Sequence, residues 1–564
     1  MTDSAPGAAR AAILAELTSA GPFELVLDES AGYPQRIYRR APPSLREVFV
    51  ASAAYGDRPF LIWGEEVLSF AQHAAKVSAL ARFLLSRGVA KGDRVAIGMR
   101  NYPEWSIAFW ACQAIGAIAV ALNAWWTGPE LAYALADSTP AALLIDGERL
   151  ERIGNSADGL KALVVARRGG AGPGGLDFAA ALAMDPGPLP EAAIAPSDLA
   201  TILYTSGTTG FPKGAMATHR NNVTNVMNTL LGATAARRLA GLPIEPDPTA
   251  PQPGALQTFP FFHIGGLTGL LLATATGAKL ALMYKWNPAE GVRLVETHGL
   301  TSLAGVPIVV RQLLETARQS RARMDSLLAV ASGGAPVPPD LIRRIGEQFE
   351  LRTSPGNGYG LTETTSAVIA NSGADYLARP ESVGRPQATV DARVVGEDGH
   401  EVPVGEIGEI WIRGPNVIPG YWNNPEATEA SFGGGWFRTG DLGYVDEVGL
   451  FYVVDRKKDV IIRGGENVYC AEVEAALLEH PVVRDAAIVG LPHADWGEEV
   501  AAVIQVAEIH LGDATAEDIR ESLRDRLARF KIPSALRLTV EELPRTATGK
   551  VLKRELRARF FEGA

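Results

Sequence analysis

A short apolar run, Leu199 to Leu203, ends in a loop that reads Y-T-S-G-T-T-G-F-P-K-G-A-M, Tyr204 to Met216. The run has the length of a buried strand, and the loop is too rich in glycine and hydroxyls to continue one. Gly207, Gly210 and Gly214 let backbone N–H groups turn toward an anion. Thr205, Ser206, Thr208 and Thr209 add hydroxyl donors, and Lys213 adds a mobile positive charge. Together these residues describe a loop that grips a polyphosphate. It is not the G-x-x-x-x-G-K-[ST] type: counted from Gly207, Pro212 stands at the second glycine and Gly214 replaces the hydroxyl.

The rest of the chain sets limits on how such a loop is carried. With 564 residues there is room for more than one domain. A net charge of −11 disfavours nucleic acid as a partner, because phosphate backbones want a basic face. The two cysteines, Cys112 and Cys470, cannot build a disulfide framework or a thiolate zinc site, so a reducing cytoplasm is expected. The first ten residues lack the charged start and apolar core of a signal peptide. Trp105 to Leu122 carries no charge, but Gln113 and Gly116 interrupt it. It reads as a helix from about Glu104 to Ile115, a stop at Gly116 and a buried strand, not a membrane span.

In chain order, residues 1–40 are poorly patterned and are expected to wrap the surface, and Pro42 to Ala54 reads as a helix. Ser69 and Gln72 form a capping box. Val77, Leu80, Ala81 and Leu84 then make one apolar helical face, closed by Gly88. Short apolar runs at Arg94 to Met99, Ala141 to Ile145, Ala162 to Ala166, Lys279 to Met283, Leu300 to Val306 and Leu327 to Ser332 alternate with helical stretches. That alternation predicts α/β layers with largely parallel sheets. Arg237 to Gly254 is a proline-rich excursion. Short strands dominate from Ala388 to Val454, a β-rich subdomain. After a boundary at Arg456 to Asp459 comes a unit of about 100 residues, a small-domain size. It is expected to hold a helix near Glu472 to Glu479, strands at Ala486 to Val489 and Ala501 to Val506, a helix from Ala516 to Phe530 and a strand from Leu536 to Val540.

Further constellations lie beyond the loop. In N-G-Y-G-L-T-E-T-T, Asn357 to Thr365, an aromatic between glycines can stack on a base, Thr362 can donate to phosphate and Glu363 can hold magnesium. A helix start capped by Thr362 is the plainer alternative. S-G-G-A-P, Ser332 to Pro336, reads as a strand-to-helix turn. In W-F-R-T-G-D-L, Asp441 can accept ribose hydroxyls or can be an ordinary turn aspartate. Arg456 in D-R-K-K-D, the Gly464–Gly465 turn, and Lys550 in P-R-T-A-T-G-K each admit a surface role. His263 in F-P-F-F-H-I-G-G is equally a core histidine or a pocket residue.

Taken in this order, the motifs resemble the adenylate-forming superfamily of acyl-CoA synthetases, peptide-synthetase adenylation domains and beetle luciferases, and most of all the AMP-forming fatty-acyl-CoA synthetases. The resemblance covers nearly the whole chain. It implies an α/β fold with a large N-terminal domain of layered, mostly parallel sheets plus a β-rich subdomain (residues 1–455), a hinge (456–459) and a small mobile α+β C-terminal domain (460–564). The loop residues Thr205, Ser206, Gly207, Thr208, Thr209, Gly210 and Lys213 would hold phosphates. Gly333, Gly334, Ala335 and Pro336 would cover one face of adenine, with Asn357, Gly358, Tyr359 and Gly360 on the other. Asp441 and Arg456 would hold ribose, Thr362 a phosphate and Glu363 magnesium. Lys458 would be the hinge, Gly464 and Gly465 would border the pantetheine tunnel, and His263 would line or gate the acid pocket. Lys550 would bridge the attacking carboxylate and the α-phosphate. One departure is Cys470, where proline is common after G-G-E-N-V-x.

The activity implied is ATP- and Mg²⁺-dependent conversion of a carboxylic acid, expected to be a fatty acid, into an acyl-adenylate and then a coenzyme A thioester. An aryl-acid CoA ligase and an enzyme with a carrier-protein acceptor are the alternatives. A luciferase-like oxygenase shares every motif, and a noncatalytic sensor would be expected to lack Lys550 or Glu363. No charged residue enters the Phe259 to Gly266 wall, which favours an apolar tail. The oligomeric state stays open, a homodimer among the options.

Overall fold

The computed structural model describes residues 5–154, 159–168, 175–183, 187–205, 212–244, 247, 249–335, 337–348, 353–507, 516–546 and 549–562. The described residues form two large sheets, of eight and nine strands. In the first, Leu199–Thr205, Ile118–Ala121, Arg94–Gly98, Ala142–Asp146, Ala162–Ala166 and Leu176–Asp177 run parallel. Lys213–Thr218 and Gly420–Tyr421 extend its edge antiparallel. In the second, Pro59–Trp63, Lys279–Leu282, Gly254–Gln257, Ser302–Gly305, Ala329–Gly333 and Ser354–Leu361 are parallel neighbours.

Alternation along the strands sets the layers. Val95 and Ile97 of the first sheet and Leu280 and Leu282 of the second join one core with the helices Phe70–Ser86 and Pro103–Ile115. Ala96, Leu143 and Ile145 face a second core, and Ala281 a third. Both sheets are therefore covered on both faces, which parallel strands require. The Ser69–Gln72 capping box is present, and the helix it opens buries Val77, Leu80, Ala81 and Leu84. The uncharged stretch is a helix ending at Gly116, with Trp105 and Trp110 fully buried. No helix of the described residues is long and apolar enough to cross a membrane.

Some local expectations are corrected. Ala5–Ser19 is a helix, and Leu25–Asp28 pairs with Gln35–Tyr38. An alanine-rich segment has high helix propensity even without an apolar stripe, so periodicity misses it. The next helix starts at Leu45, capped by Ser44, because the Pro42–Pro43 pair disfavours helix before it. The helix expected over Ala516 to Phe530 is shorter, Ala516–Ser522, with a separate turn Arg529–Lys531.

The β-rich part is a five-stranded antiparallel sheet that includes Gly408–Arg413, Trp436–Val445 and Phe451–Arg456. Beyond it, Ile461, Val473, Leu477, Ile488, Val500, Ile504 and Leu523 form a core of their own. Gly464 and Gly465, both at positive φ (61° and 89°), make the turn between Ile461–Arg463 and Glu466–Val468. A primed two-residue turn needs that backbone, and glycine adopts it without strain.

The strand Phe451–Arg456 is tied to the C-terminal core by Cys470. Its backbone N–H donates to buried Asp455, and its thiol donates to the Asp459 carbonyl at 3.0 Å. Proline suits the first turn of a helix, and its entropic benefit is about 0.4–1 kcal/mol. Losing a hydrogen bond to a charged group costs about 1.5–3 kcal/mol. Cys470→Pro is therefore expected to destabilise the chain, read as a lower thermal unfolding midpoint than that of Cys470→Ala, which keeps the N–H. A midpoint equal to or above that of Cys470→Ala would show that this tie adds nothing to stability.

Candidate active site

The cleft is built from strand ends. Thr205 closes one strand and pairs with Lys213, which opens the next. Ser206, Gly207, Thr208, Thr209 and Gly210 lie outside the described residues, as does Pro336. Gly333 ends its strand opposite Gly358, and Gly334 and Ala335 turn toward the helix Pro339–Gln348. Asn357, Gly358, Tyr359 and Gly360 lie on the strand Ser354–Leu361, which is followed by a single turn, Thr362–Thr364, and not by the helix start of the plainer alternative.

Asp441 and Arg456 face each other across two antiparallel strands. Arg456 Nε lies 2.8 Å from Asp441 Oδ1, and the Tyr359 hydroxyl donates to Asp441 Oδ2 at 2.8 Å. Each carboxylate oxygen keeps a second lone pair free. Burial raises the pKa of Asp441 against the pull of Arg456, so it takes a proton more readily than a solvated carboxylate. Burial pushes the Arg456 guanidinium down, and Asp441, Tyr359, Glu363 and Asp459 together more than offset it. Burial, then the Asp441 charge, keeps Tyr359 protonated and therefore a donor.

Glu363 sits in the turn after this strand. Its Oε1 accepts from the Tyr421 hydroxyl at 2.8 Å, and Oε2 has no hydrogen-bond partner among the described residues. The described residues contain no cluster of three or more His, Cys, Asp or Glu that could cage a metal. Magnesium needs no such cage: one or two carboxylates plus substrate phosphates and water commonly suffice. Glu363, with one oxygen open among the described residues, fits that pattern.

Lys550 comes from the C-terminal unit and reaches the same cleft. Water still touches its side chain, yet removal from bulk solvent lowers its pKa, with Arg456 and Lys458 pushing the same way and Asp441 and Glu363 opposing. Its loop is preformed: the Thr546 N–H donates to the Lys550 carbonyl at 2.8 Å and the Gly549 N–H to the Thr546 carbonyl at 2.9 Å. His263 caps the helix Ile264–Thr276, with Nδ1 accepting from the Gly265 N–H, and stacks on Phe259 at 5.9 Å. Burial and the Lys550 charge lower its pKa to about 3, so it is a neutral imidazole carrying its proton on Nε2. Asn101 holds that loop, bonding the Phe259 carbonyl and the Phe261 N–H.

The structure thus brings together Lys213, Tyr359, Glu363, Asp441, Arg456 and Lys550, with His263 beside them. It does not bring Gly464 and Gly465 into this cleft. Gly464 packs on Trp496 of its own unit, and Gly465 faces open space. Lys458 lies in the turn after Arg456. Sequence reading missed Tyr421, whose ring stands 5.2 Å from Lys213 Nζ. The tyrosine lies far along the chain in G-Y-W-N-N-P, with no charge or spacing signal. It also missed Val306, which packs where Gly549 arrives.

A family model described as AMP-binding enzyme matches residues 48–422, and one for the AMP-binding enzyme C-terminal domain matches 472–550. A feruloyl-CoA synthase from Amycolatopsis sp is 37% identical over 498 residues, 88% of this chain and 95% of that protein. An indoleacetate–CoA ligase from Aromatoleum aromaticum is 34% identical over 495 residues, 87% of this chain and 93% of that protein. Among solved structures, o-succinylbenzoate CoA synthetase from Bacillus subtilis, in complex with an acyl-adenylate intermediate, superposes with a TM-score of 0.76 at 30% identity, covering 91% of this chain and 98% of that one. With its large N-terminal part of parallel sheets and its small C-terminal unit, the chain belongs to the AMP-binding enzymes of the adenylate-forming superfamily, as an AMP-forming acid–CoA ligase.

Proposed function

We propose that this ligase activates an acid with an apolar, ring-bearing tail. The carboxylate attacks the α-phosphorus of ATP and pyrophosphate leaves. The coenzyme A thiol then attacks the acyl carbonyl and AMP leaves. The observation that carries the reading is the meeting of Lys550 with Asp441, Arg456 and Glu363 in one cleft fed by two units. Asp441 and Arg456 take the ribose, Tyr359 flanks adenine, and Thr205 to Lys213 with Thr362 receive the phosphates. Glu363 holds magnesium, which when bound screens phosphate charge. Lys550 holds the carboxylate against the α-phosphate, and fixed charges of this kind need no reorganisation during reaction. The orientation seen is the one suited to the first step.

For the second step, residues 460–564 turn about 456–459, with Lys458 as pivot, and carry Gly464 and Gly465 to the thiol path. One cavity then serves two reactions. His263, neutral and stacked on Phe259, lines the acid pocket. The Phe259 to Gly266 wall supports an apolar tail. The acids named in the feruloyl, indoleacetate and o-succinylbenzoate enzymes all carry an aromatic ring, which favours an aryl acid. A fatty acid, the expectation from sequence, fits the same apolar wall and is the second reading.

The test is pyrophosphate release across aryl and aliphatic acids, with thioester identified by mass in the presence of coenzyme A. Turnover confined to aliphatic acids would replace the first reading by the second, and release without thioester would overturn the acceptor. A narrower expectation concerns Glu363. Glu363→Gln keeps the shape and loses the charge, so adenylation at limiting magnesium should fall about 10-fold, the scale of one charged interaction. Unchanged magnesium dependence would take Glu363 out of the metal site.

A further inference from the structure

Segment 418–422 touches both halves of the phosphate site at once. The Ile418 N–H donates to the Glu363 carbonyl at 2.9 Å, and the Trp422 N–H donates to the Gly214 carbonyl at 2.7 Å. Between them, Tyr421 is paired in register with Ala215 and is only 7% exposed. Its N–H donates to Thr428 Oγ1 at 2.9 Å, and Phe432 packs edge-on against its ring. The tyrosine is therefore fixed by its own backbone and neighbours before any ligand arrives.

That fixed side chain presents two different surfaces. Its ring face meets Lys213 Nζ at 5.2 Å, a cation–π distance. Its hydroxyl donates to Glu363 Oε1 at 2.8 Å. Lys213 and Glu363 carry opposite charges close to one ring, and without it they could pair with each other. An ion pair would withdraw the lysine from phosphate and the carboxylate from metal.

We propose that Tyr421 is a positioning residue that keeps Lys213 and Glu363 apart and aimed, the lysine toward the nucleotide's phosphates and Glu363 Oε2 toward magnesium. The inference rests on the reading of this cleft as the ATP site. Tyr421 itself touches neither substrate. Its hydroxyl serves the metal side and its ring serves the lysine side, so the two contributions are separable by substitution.

Tyr421→Phe keeps the ring and loses the hydroxyl, and Tyr421→Leu loses both. The readout is calorimetric affinity for a non-hydrolysable ATP analogue, with magnesium and with EDTA. For the wild type, magnesium should tighten binding. In Tyr421→Phe the affinity in EDTA should stay within about twofold, while the gain from magnesium shrinks about 10-fold, the scale of one hydrogen bond to a charged group. In Tyr421→Leu affinity should fall in both conditions. On a Glu363→Gln background, Tyr421→Phe should add nothing. A magnesium gain that survives Tyr421→Phe, or equal losses with and without magnesium in that variant, overturns the proposal, since a purely structural tyrosine would not separate them. Tyr421→Phe alone decides the matter if Tyr421→Leu does not fold. A wild type that binds no analogue would overturn the ATP-site reading and this proposal together.

Discussion

Lys550→Ala slows acyl-adenylate formation by about 10²–10³, the usual cost of one preorganised charge donor, and leaves thioester formation from a supplied acyl-adenylate near the wild-type rate. The asymmetry comes from the lysine's place in the chain. It belongs to the C-terminal unit and stands among Asp441, Arg456 and Glu363 of the larger part. In the proposed rotation, the lysine would leave the phosphate before the second step. Single-turnover measurements of the two half-reactions read the difference, and equal losses in both would sink the assigned role and the rotation with it. A pH consequence accompanies it. Partial desolvation of a side chain that stays exposed, reinforced by Arg456, lowers the Lys550 pKa, so the lysine loses its charge at a lower pH than a free one. The alkaline limb of adenylation should therefore fall below the ordinary lysine value of about 10.4, and it should be absent from the residual activity of Lys550→Ala.

The sheets and most of the cleft were legible because they rest on local signals. A run such as Ala162–Ala166 is apolar throughout because both its faces are covered, and it appears in the structure with the same bounds as in the sequence reading. The Ser69–Gln72 capping box is likewise a four-residue signal that owes nothing to tertiary contacts. Glycine, threonine and charged residues in fixed order mark the ends of those strands, so Tyr359, Asp441 and Arg456 could be named before their contact was known. The features that escaped are relational. Tyr421 bonds to Glu363, 58 positions away, and no spacing rule links the two. The helix Ala5–Ser19 is carried by alanine propensity and by packing on the helix His219–Leu239, not by a stripe. The partner of Gly549 belongs to the other unit, and its effect depends on how the two units meet.

That last contact carries the second large effect. Gly549 has a φ of +78°, and a Cβ placed there would stand 2.7 Å from Val306 Cγ2. An alanine meets two separate costs. Left-handed backbone costs an L residue about 1–2 kcal/mol, and overpacking adds about 1–3 kcal/mol. Only the overpacking share, about 1–3 kcal/mol, depends on the adenylating orientation, because Val306 lies in the larger part and Gly549 in the unit proposed to turn; the backbone share strains the loop in either orientation. Gly549→Ala should therefore slow adenylation by about 30-fold at the middle of that range, at a tenfold per 1.36 kcal/mol, and slow thioester formation from a supplied adenylate much less. The steric share is removable from the other side of the contact. Val306→Ala deletes the two methyl groups, so in Gly549→Ala it should recover about tenfold of the lost rate, leaving the backbone share behind. Val306→Ala alone supplies the fourth corner of the cycle and corrects for its own effect on the pocket beside Gly334. Additive losses in the double variant would mean that the two residues do not meet when Lys550 works, and the orientation in which Gly549 packs on Val306 would then not be the one that forms the adenylate.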